Sequence, residues 1–240
     1  MEIFERTDSY VCVDLETTGL NPKTDKIIEI GAVKVENGKC IDTFETFVNP
    51  GRVLEQRIVE LTGITDEQLK TAPSIGEIFP SLLSFLGEHV LLGHSVLFDY
   101  SFIKKAAVNG RYTFERSGID TLKIARKYLP QLESRSLDYL CGHYKIPHKA
   151  HRALEDARAT CALYDRLWEA FGKEAEADKF FSPSKLNYQV KRETPITSAQ
   201  KERLYRELDK HKIIPEYDVE RLTKNEASRY LDRILSEYGR

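Results

Sequence analysis

Three stretches of this 240-residue chain put acids in apolar surroundings. Asp14 and Glu16 close the β-rich run Tyr10-Val-Cys-Val-Asp-Leu, two residues apart, so a strand there projects both carboxylates from one face. Alone, such a pair is usually just a solvated turn at a strand end. Asp99 stands at the start of a helical pattern, where a carboxylate can cap backbone N–H groups. Asp156 sits among Ala153, Leu154, Ala157 and Ala159, a face small enough to pack closely against a sheet. An acid facing a core is costly unless a cation neutralises it, and Arg152 and Arg158 are the structural partners at hand.

Four carboxylates from three segments cannot share one site without mutual repulsion that raises their pKa values, unless divalent cations join them. Hard oxygen ligands suit Mg²⁺ or Mn²⁺. Two such ions about 3.5–4 Å apart stabilise both the attacking and the leaving oxygen of a phosphodiester cleavage. They also hold phosphate without a basic protein surface. His151 precedes Asp156 by five residues, a step that on one helix turns it roughly 140° away. It is therefore placed just before the helix, where it can approach an activated water and take its proton. His148 and His94 are its rivals.

The elements that must position these groups follow from periodicity. Apolar β-rich runs at Ser9–Glu16, Lys26–Glu36 and Cys40–Val48, the last two joined by Asn37-Gly38, predict three antiparallel strands. Helical spacing appears at Val53–Leu61, and again at Ser74–Leu86 with a capping box from Ser74 and Glu77. A short strand at Val90–Gly93, a helix at Phe98–Val108, a strand at Gly118–Asp120 and helices at Thr121–Tyr128, Ser136–His143 and Arg152–Phe171 follow. Strands first and then strands alternating with helices indicate an α/β fold, a mixed five-stranded sheet covered by helices.

Beyond about Asp178 the composition shifts. Ser182-Pro183-Ser184 and Glu193-Thr194-Pro195 read as linker, and Thr197–His211 and Thr223–Tyr238 as helices capped by Thr197 or Ser198 and by Thr223. The expected division is a catalytic domain over 1–178, a linker over 179–196 and a small helical module over 197–240. Residues 183–240 are mildly basic whereas 1–182 are acidic, which suits a nucleic-acid-binding or docking role as well as a plain surface extension.

A net charge of −2 excludes holding duplex DNA by bulk electrostatics, so nucleic-acid contact must be local or metal-mediated. With 41% hydrophobic and 31% charged residues and no apolar stretch of membrane-spanning length, no membrane partner is expected. The start at Met1–Arg6 lacks the pattern of a secretory signal, so the expected location is cytoplasmic. Cys12, Cys40, Cys141 and Cys161 form no Cys-x-x-Cys pair and are expected as reduced thiols without a chemical role.

Asp14-Leu15-Glu16-Thr17-Thr18-Gly19, His94-Ser-Val-Leu-Phe98-Asp99 and His151-Arg-Ala-Leu-Glu-Asp156 resemble the three exonuclease motifs of the DEDDh, or DnaQ-like, family. Leu61-Thr-Gly-Ile-Thr-Asp66, Asp120-Thr-Leu and Ser136-Leu-Asp-Tyr-Leu also resemble the epsilon-like proofreading exonuclease of Gram-positive, PolC-type replicative polymerases, so the similarity covers about residues 8–170. The resemblance implies a ribonuclease H-like fold and a metal-dependent 3′→5′ exonuclease releasing 5′-mononucleotides. It implies Asp14, Glu16, Asp99 and Asp156 as ligands of two Mg²⁺ or Mn²⁺ ions, Asp14 bridging both, with His151 as general base. It further implies that Thr17, Thr18, Gly19 and Leu20 contact the terminal nucleotide, Leu20 against its base, and that Phe98 packs beside the site; core packing of Leu20 and Phe98 is the alternative. Ser95 departs from the family, which often has Asn there.

The expected substrate is nucleic acid with a 3′ end, single-stranded DNA above all, with trimming of RNA as the alternative and a catalytically silent binding module as a more distant one. The residues after the motifs are too few for a polymerase, so a separate exonuclease or a subunit joining a replication or repair partner through the C-terminal module is expected.

Overall fold

The computed structural model describes residues 5–239. Met1–Phe4, part of the stretch read above for a secretory signal, and Arg240, the end of the expected module, lie outside the described residues.

Strands β1 (Tyr10–Thr17), β2 (Ile27–Glu36) and β3 (Lys39–Phe47) form an antiparallel meander, with the Asn37-Gly38 turn where both residues have positive φ. Helices α1 (Gln56–Thr62), α2 (Asp66–Lys70) and α3 (Ile75–Leu86) follow, α3 opening on the expected Ser74/Glu77 capping box. Then come β4 (Val90–Gly93), α4 (Val96–Asn109), β5 (Ser117–Asp120), α5 (Thr121–Tyr128), α6 (Leu137–Tyr144), α7 (Ala153–Phe171) and α8 (Ala177–Phe181). β4 lies parallel to β1 and β5 parallel to β4.

The sheet has six strands, not five. β6 (Ser184–Lys185) pairs antiparallel with β5, which completes the order β3-β2-β1-β4-β5-β6. Two residues beside a proline carry no alternation from which a strand could be read. The following Leu186 is buried against Gly118, where a Cβ would come within 2.8 Å of it, so part of the expected linker belongs to the sheet edge. Helices α9 (Ser198–Lys210) and α10 (Lys224–Tyr238) begin at Thr197 and Thr223, each in a capping box. With the 3₁₀ turn Val219–Arg221 they enclose an apolar cluster of their own, built on Leu204, Leu208, Leu231 and Ile234.

Alternation along β1 decides what faces what. Val11, Val13 and Leu15 join one core with Phe79 and Leu82 of α3 and Tyr100 and Ile103 of α4. Tyr10 and Cys12 join the opposite core with Leu154, Ala157, Leu163 and Tyr164 of α7. Asp14 and Glu16 continue the even-numbered face, so the end of β1 directs both acids toward α7. None of the four cysteines is in a disulfide. Among the described residues no helix is long and apolar enough to cross a membrane.

Candidate active site

Two backbone features bring α7 against the sheet. Gly31 lies opposite Asp14 on β2, and a Cβ there would fall 2.1 Å from the carbonyl carbon of Ala153 and from the nitrogen of Leu154. Only a residue without a side chain lets the first turn of α7 approach so closely. Glu29, opposite Glu16 and 1% exposed, accepts hydrogen bonds from the Ala153 amide at 3.1 Å and from Arg152 Nη2 at 2.9 Å. The buried carboxylate thus anchors the amino end of α7, where negative charge is favoured by the helix dipole. Motif reading passes over Glu29; its one signal in the sequence is an acid inside the apolar run Ile27-Ile28-Glu29-Ile30.

This placement assembles the cluster. One carboxylate oxygen from each of Asp14, Glu16 and Asp156 lies within 4.8 Å of the other two. Asp99 comes from the first turn of α4, which begins at Val96, two residues before the expected start. Its side chain reaches across to accept the Leu15 amide at 3.1 Å, between the two acids of β1. Neither arginine expected as a structural partner of Asp156 engages it: Arg152 pairs with Glu29 and Arg158 with Glu155.

The electrostatics show the cost of this gathering. Burial, and then Asp99, Asp156, Glu16 and Glu29, push Asp14 well above the usual carboxylate range. Glu16 rises to about 8 through burial and then through Asp156 and Glu29, against the opposing pull of Arg152. Asp99 is raised by burial against hydrogen bonds from its own amide and that of Leu15; Asp156 is raised by burial against hydrogen bonding and attraction from His148. Four protonation-prone acids with only oxygen donors are a set that a hard divalent cation would complete.

The histidines separate clearly. His148 is half-buried with its side chain 7% exposed, its Nε2 on Asp156 Oδ1 and its Nδ1 2.9 Å from Asp138 Oδ1. His151 lies before α7 as expected, with φ +64°, and its backbone amide donates to Asp156 Oδ2 at 3.0 Å. Among the described residues no hydrogen bond engages the His151 ring. His94 is held away from the cluster by Thr121 Oγ1 at 2.9 Å and the Arg135 carbonyl at 2.8 Å, and burial lowers its pKa.

Thr17 to Leu20 form the loop beside the acids. Thr17 Oγ1 donates to the Gly19 carbonyl at 2.7 Å, the Thr18 amide to the Lys26 carbonyl at 2.9 Å, and a Cβ on Gly19 would meet Asp25 Oδ2 at 2.6 Å. Leu20 is 85% exposed, so core packing does not explain it, whereas Phe98 is partly buried with its ring 5.1 Å from Phe102. Ser95 adopts φ +77°, a conformation that Asn tolerates better than Ser, which accounts physically for the Asn preference there.

An exonuclease family model, RNase_T, matches residues 11–164. The chain belongs to the RNase_T exonuclease family. Relatives of this exonuclease domain include the PolC-type DNA polymerase III of Caldanaerobacter subterraneus subsp. tengcongensis, 44% identical over 162 residues, and that of Bacillus subtilis, 39% identical over 160. The first match takes in 67% of this chain but only 12% of the polymerase, and the second 65% and 11%. Among solved structures, exonuclease X in complex with 5′-overhanging duplex DNA is similar with a TM-score of 0.56 and 25% identity, over 70% of this chain and 96% of that one. E. coli exonuclease I in complex with a dA16 oligonucleotide shares the fold, with a TM-score of 0.61 and 18% identity over 72% of this chain and 43% of that one. The ribonuclease H-like architecture expected from the motifs is therefore the one present, with its extra edge strand.

Proposed function

We propose that this exonuclease domain hydrolyses the 3′-terminal phosphodiester of DNA, single-stranded ends first, and releases 5′-mononucleotides. The observation that carries the reading is the convergence of Asp14, Glu16 and Asp156 on one point, with Asp99 bonded to the strand between the first two.

In this reading Asp14, Glu16, Asp99 and Asp156 would hold two Mg²⁺ or Mn²⁺ ions. Bound there, such ions neutralise charge developing on the phosphate and acidify the attacking water. His151 accepts that water's proton: among the described residues its ring has no hydrogen-bond partner, whereas both ring nitrogens of His148 are occupied by carboxylates. Thr17, Thr18, Gly19 and Leu20 seat the terminal nucleotide, the exposed Leu20 against its base, with Phe98 beside it. DNA is favoured over RNA because the relatives are named DNA polymerases and exonuclease X is bound to DNA. Residues 197–240 are a module for nucleic acid or for a replication or repair partner, and the cytoplasm is the place of action.

The test is digestion of 3′- and 5′-labelled single-stranded DNA with Mg²⁺ or Mn²⁺, beside EDTA and Asp14→Ala controls. A ladder shortening from the 3′ end, absent in both controls, is expected. Faster trimming of a matched RNA would overturn the DNA preference, and no cleavage of either would leave a silent binding module.

A further inference from the structure

The loop after β1 is tied to the C-terminal extension at three successive points. Lys26 Nζ lies 3.0 Å from Glu226 Oε1, in the first turn of α10. Arg52 donates to the Thr24 carbonyl at 2.6 Å, while its own backbone bridges Tyr217 and the flanking Gly51 and Val53 bond residues Asp218 and Glu216. Lys105 of α4 donates to the Lys23 carbonyl at 3.1 Å and pairs with Glu193 at 2.9 Å. The side chains of Lys105 and Arg52 thus hold Lys23 and Thr24, Lys105 also pairing with Glu193 and Arg52 bridging Tyr217 through its backbone, while Lys26 reaches Glu226 with its own side chain.

Within the loop the constraint is passed on. Lys26 exchanges two bonds with Thr18, its carbonyl accepting from the Thr18 amide and its amide donating to Thr18 Oγ1 at 3.1 Å. Asp25 accepts the Asn21 amide at 2.8 Å and sits where a side chain on Gly19 would be. The seam between extension and body also carries an open cleft of about 200 Å³ lined by Lys26, Arg52, Lys105, Tyr217 and Tyr230. Burial works to raise the Glu226 carboxyl, but Lys26 and the bonds from Thr223 outweigh it and hold it at about 2, so the tie to Lys26 carries full charge at neutral pH.

We propose that the C-terminal extension is a brace for the substrate loop, with Lys26, Arg52, Lys105 and Glu226 as positioning residues that keep Thr17–Leu20 set for the terminal nucleotide. The idea rests on the proposed role of that loop. It gives the extension a function within the reaction of this same chain, beside any partner it binds. A correctly set loop lowers the cost of ordering substrate, so its loss appears in KM more than in kcat.

Glu226→Gln is the informative variant, because glutamine at this capping-box position keeps the bond to Thr223 and removes only the negative charge that faces Lys26. With the full chain, a single-stranded DNA oligonucleotide and Mn²⁺, Glu226→Gln and Lys26→Met are each expected to raise KM about three- to tenfold with kcat within about twofold. The double variant should be no worse than the worse single one. Hydrogen exchange without substrate should quicken in residues 17–26 of Glu226→Gln and stay unchanged in 10–15. Unchanged KM in both variants, or unchanged exchange in 17–26, would overturn the brace. An inactive wild type would instead defeat the proposed function, and the exchange comparison would then decide the brace alone.

Discussion

His148 holds Asp156 by the same carboxylate whose other oxygen accepts the backbone of His151. The two histidines therefore act on one acid in different ways, His148 through its ring and His151 through its amide. Asp138 fixes the far nitrogen of His148, so a carboxylate–imidazole–carboxylate chain sets the rotamer of Asp156. Partners that orient a metal ligand are worth about 10- to 100-fold in affinity or activity. His148→Ala is expected to weaken Mn²⁺ binding by that order in a calorimetric titration. His151→Ala should leave Mn²⁺ binding within a few-fold and lower kcat by about 10²–10⁴. The reverse pattern would exchange the roles assigned to the two residues.

Gly31→Ala tests whether the approach of α7 builds the site. The new methyl would overlap the backbone of Ala153 and Leu154 at 2.1 Å, which no rotamer relieves. Either α7 moves, carrying Asp156 from Asp14 and Glu16, or the fold bears the strain. Overpacking of this kind costs about 3 kcal/mol or more when the obstacle is backbone. Urea denaturation should show that loss, together with reduced metal affinity; a variant as stable as the parent would mean that the helix is not seated by this contact.

The acids of the cluster were legible because their chemistry is local: Asp14 and Glu16 share a face by strand alternation, and the three motifs hold the others. Their supports were not. Glu29 becomes an anchor only through its register opposite Glu16, and His148 reaches Asp156 only because the chain before α7 turns back with His151 at positive φ. Neither relation has a sequence period. Similarly, α9 and α10 announce themselves by their caps, but the ties from Lys26, Arg52 and Lys105 join segments up to 200 residues apart, and pairwise contacts at that separation leave no trace in local pattern.

Leu20 offers a test of substrate binding with little effect on folding. It is 85% exposed, so truncation removes almost no buried surface. Leu20→Ala should leave thermal stability unchanged within about 0.5 kcal/mol and raise KM for single-stranded DNA several-fold. An unchanged KM would remove Leu20 from the nucleotide site.

The raised pKa values of the cluster predict how stability depends on pH and on cations. Glu16 titrates at about 8 in the fold against an ordinary 4.5, and Asp14, Asp99 and Asp156 are shifted in the same direction. Between those limits the metal-free fold binds more protons than the unfolded chain, so this contribution to stability is present at pH 4.5 and lost as pH rises toward 8. Carboxylates with lowered values, such as Glu226, add stability as pH rises through the ordinary 4.5 and contribute little slope above it, equally with and without cations. His94, whose pKa is lowered by burial, gives the same rising trend near 6.5, again equally with and without cations. The informative quantity is therefore the increase in Tm on replacing EDTA with Mg²⁺. Cations must displace the protons held by the acids, so that increase should be small at pH 5 and grow steadily to pH 8. A gain independent of pH, or largest at pH 5, would show that Mg²⁺ binds somewhere other than among these four carboxylates.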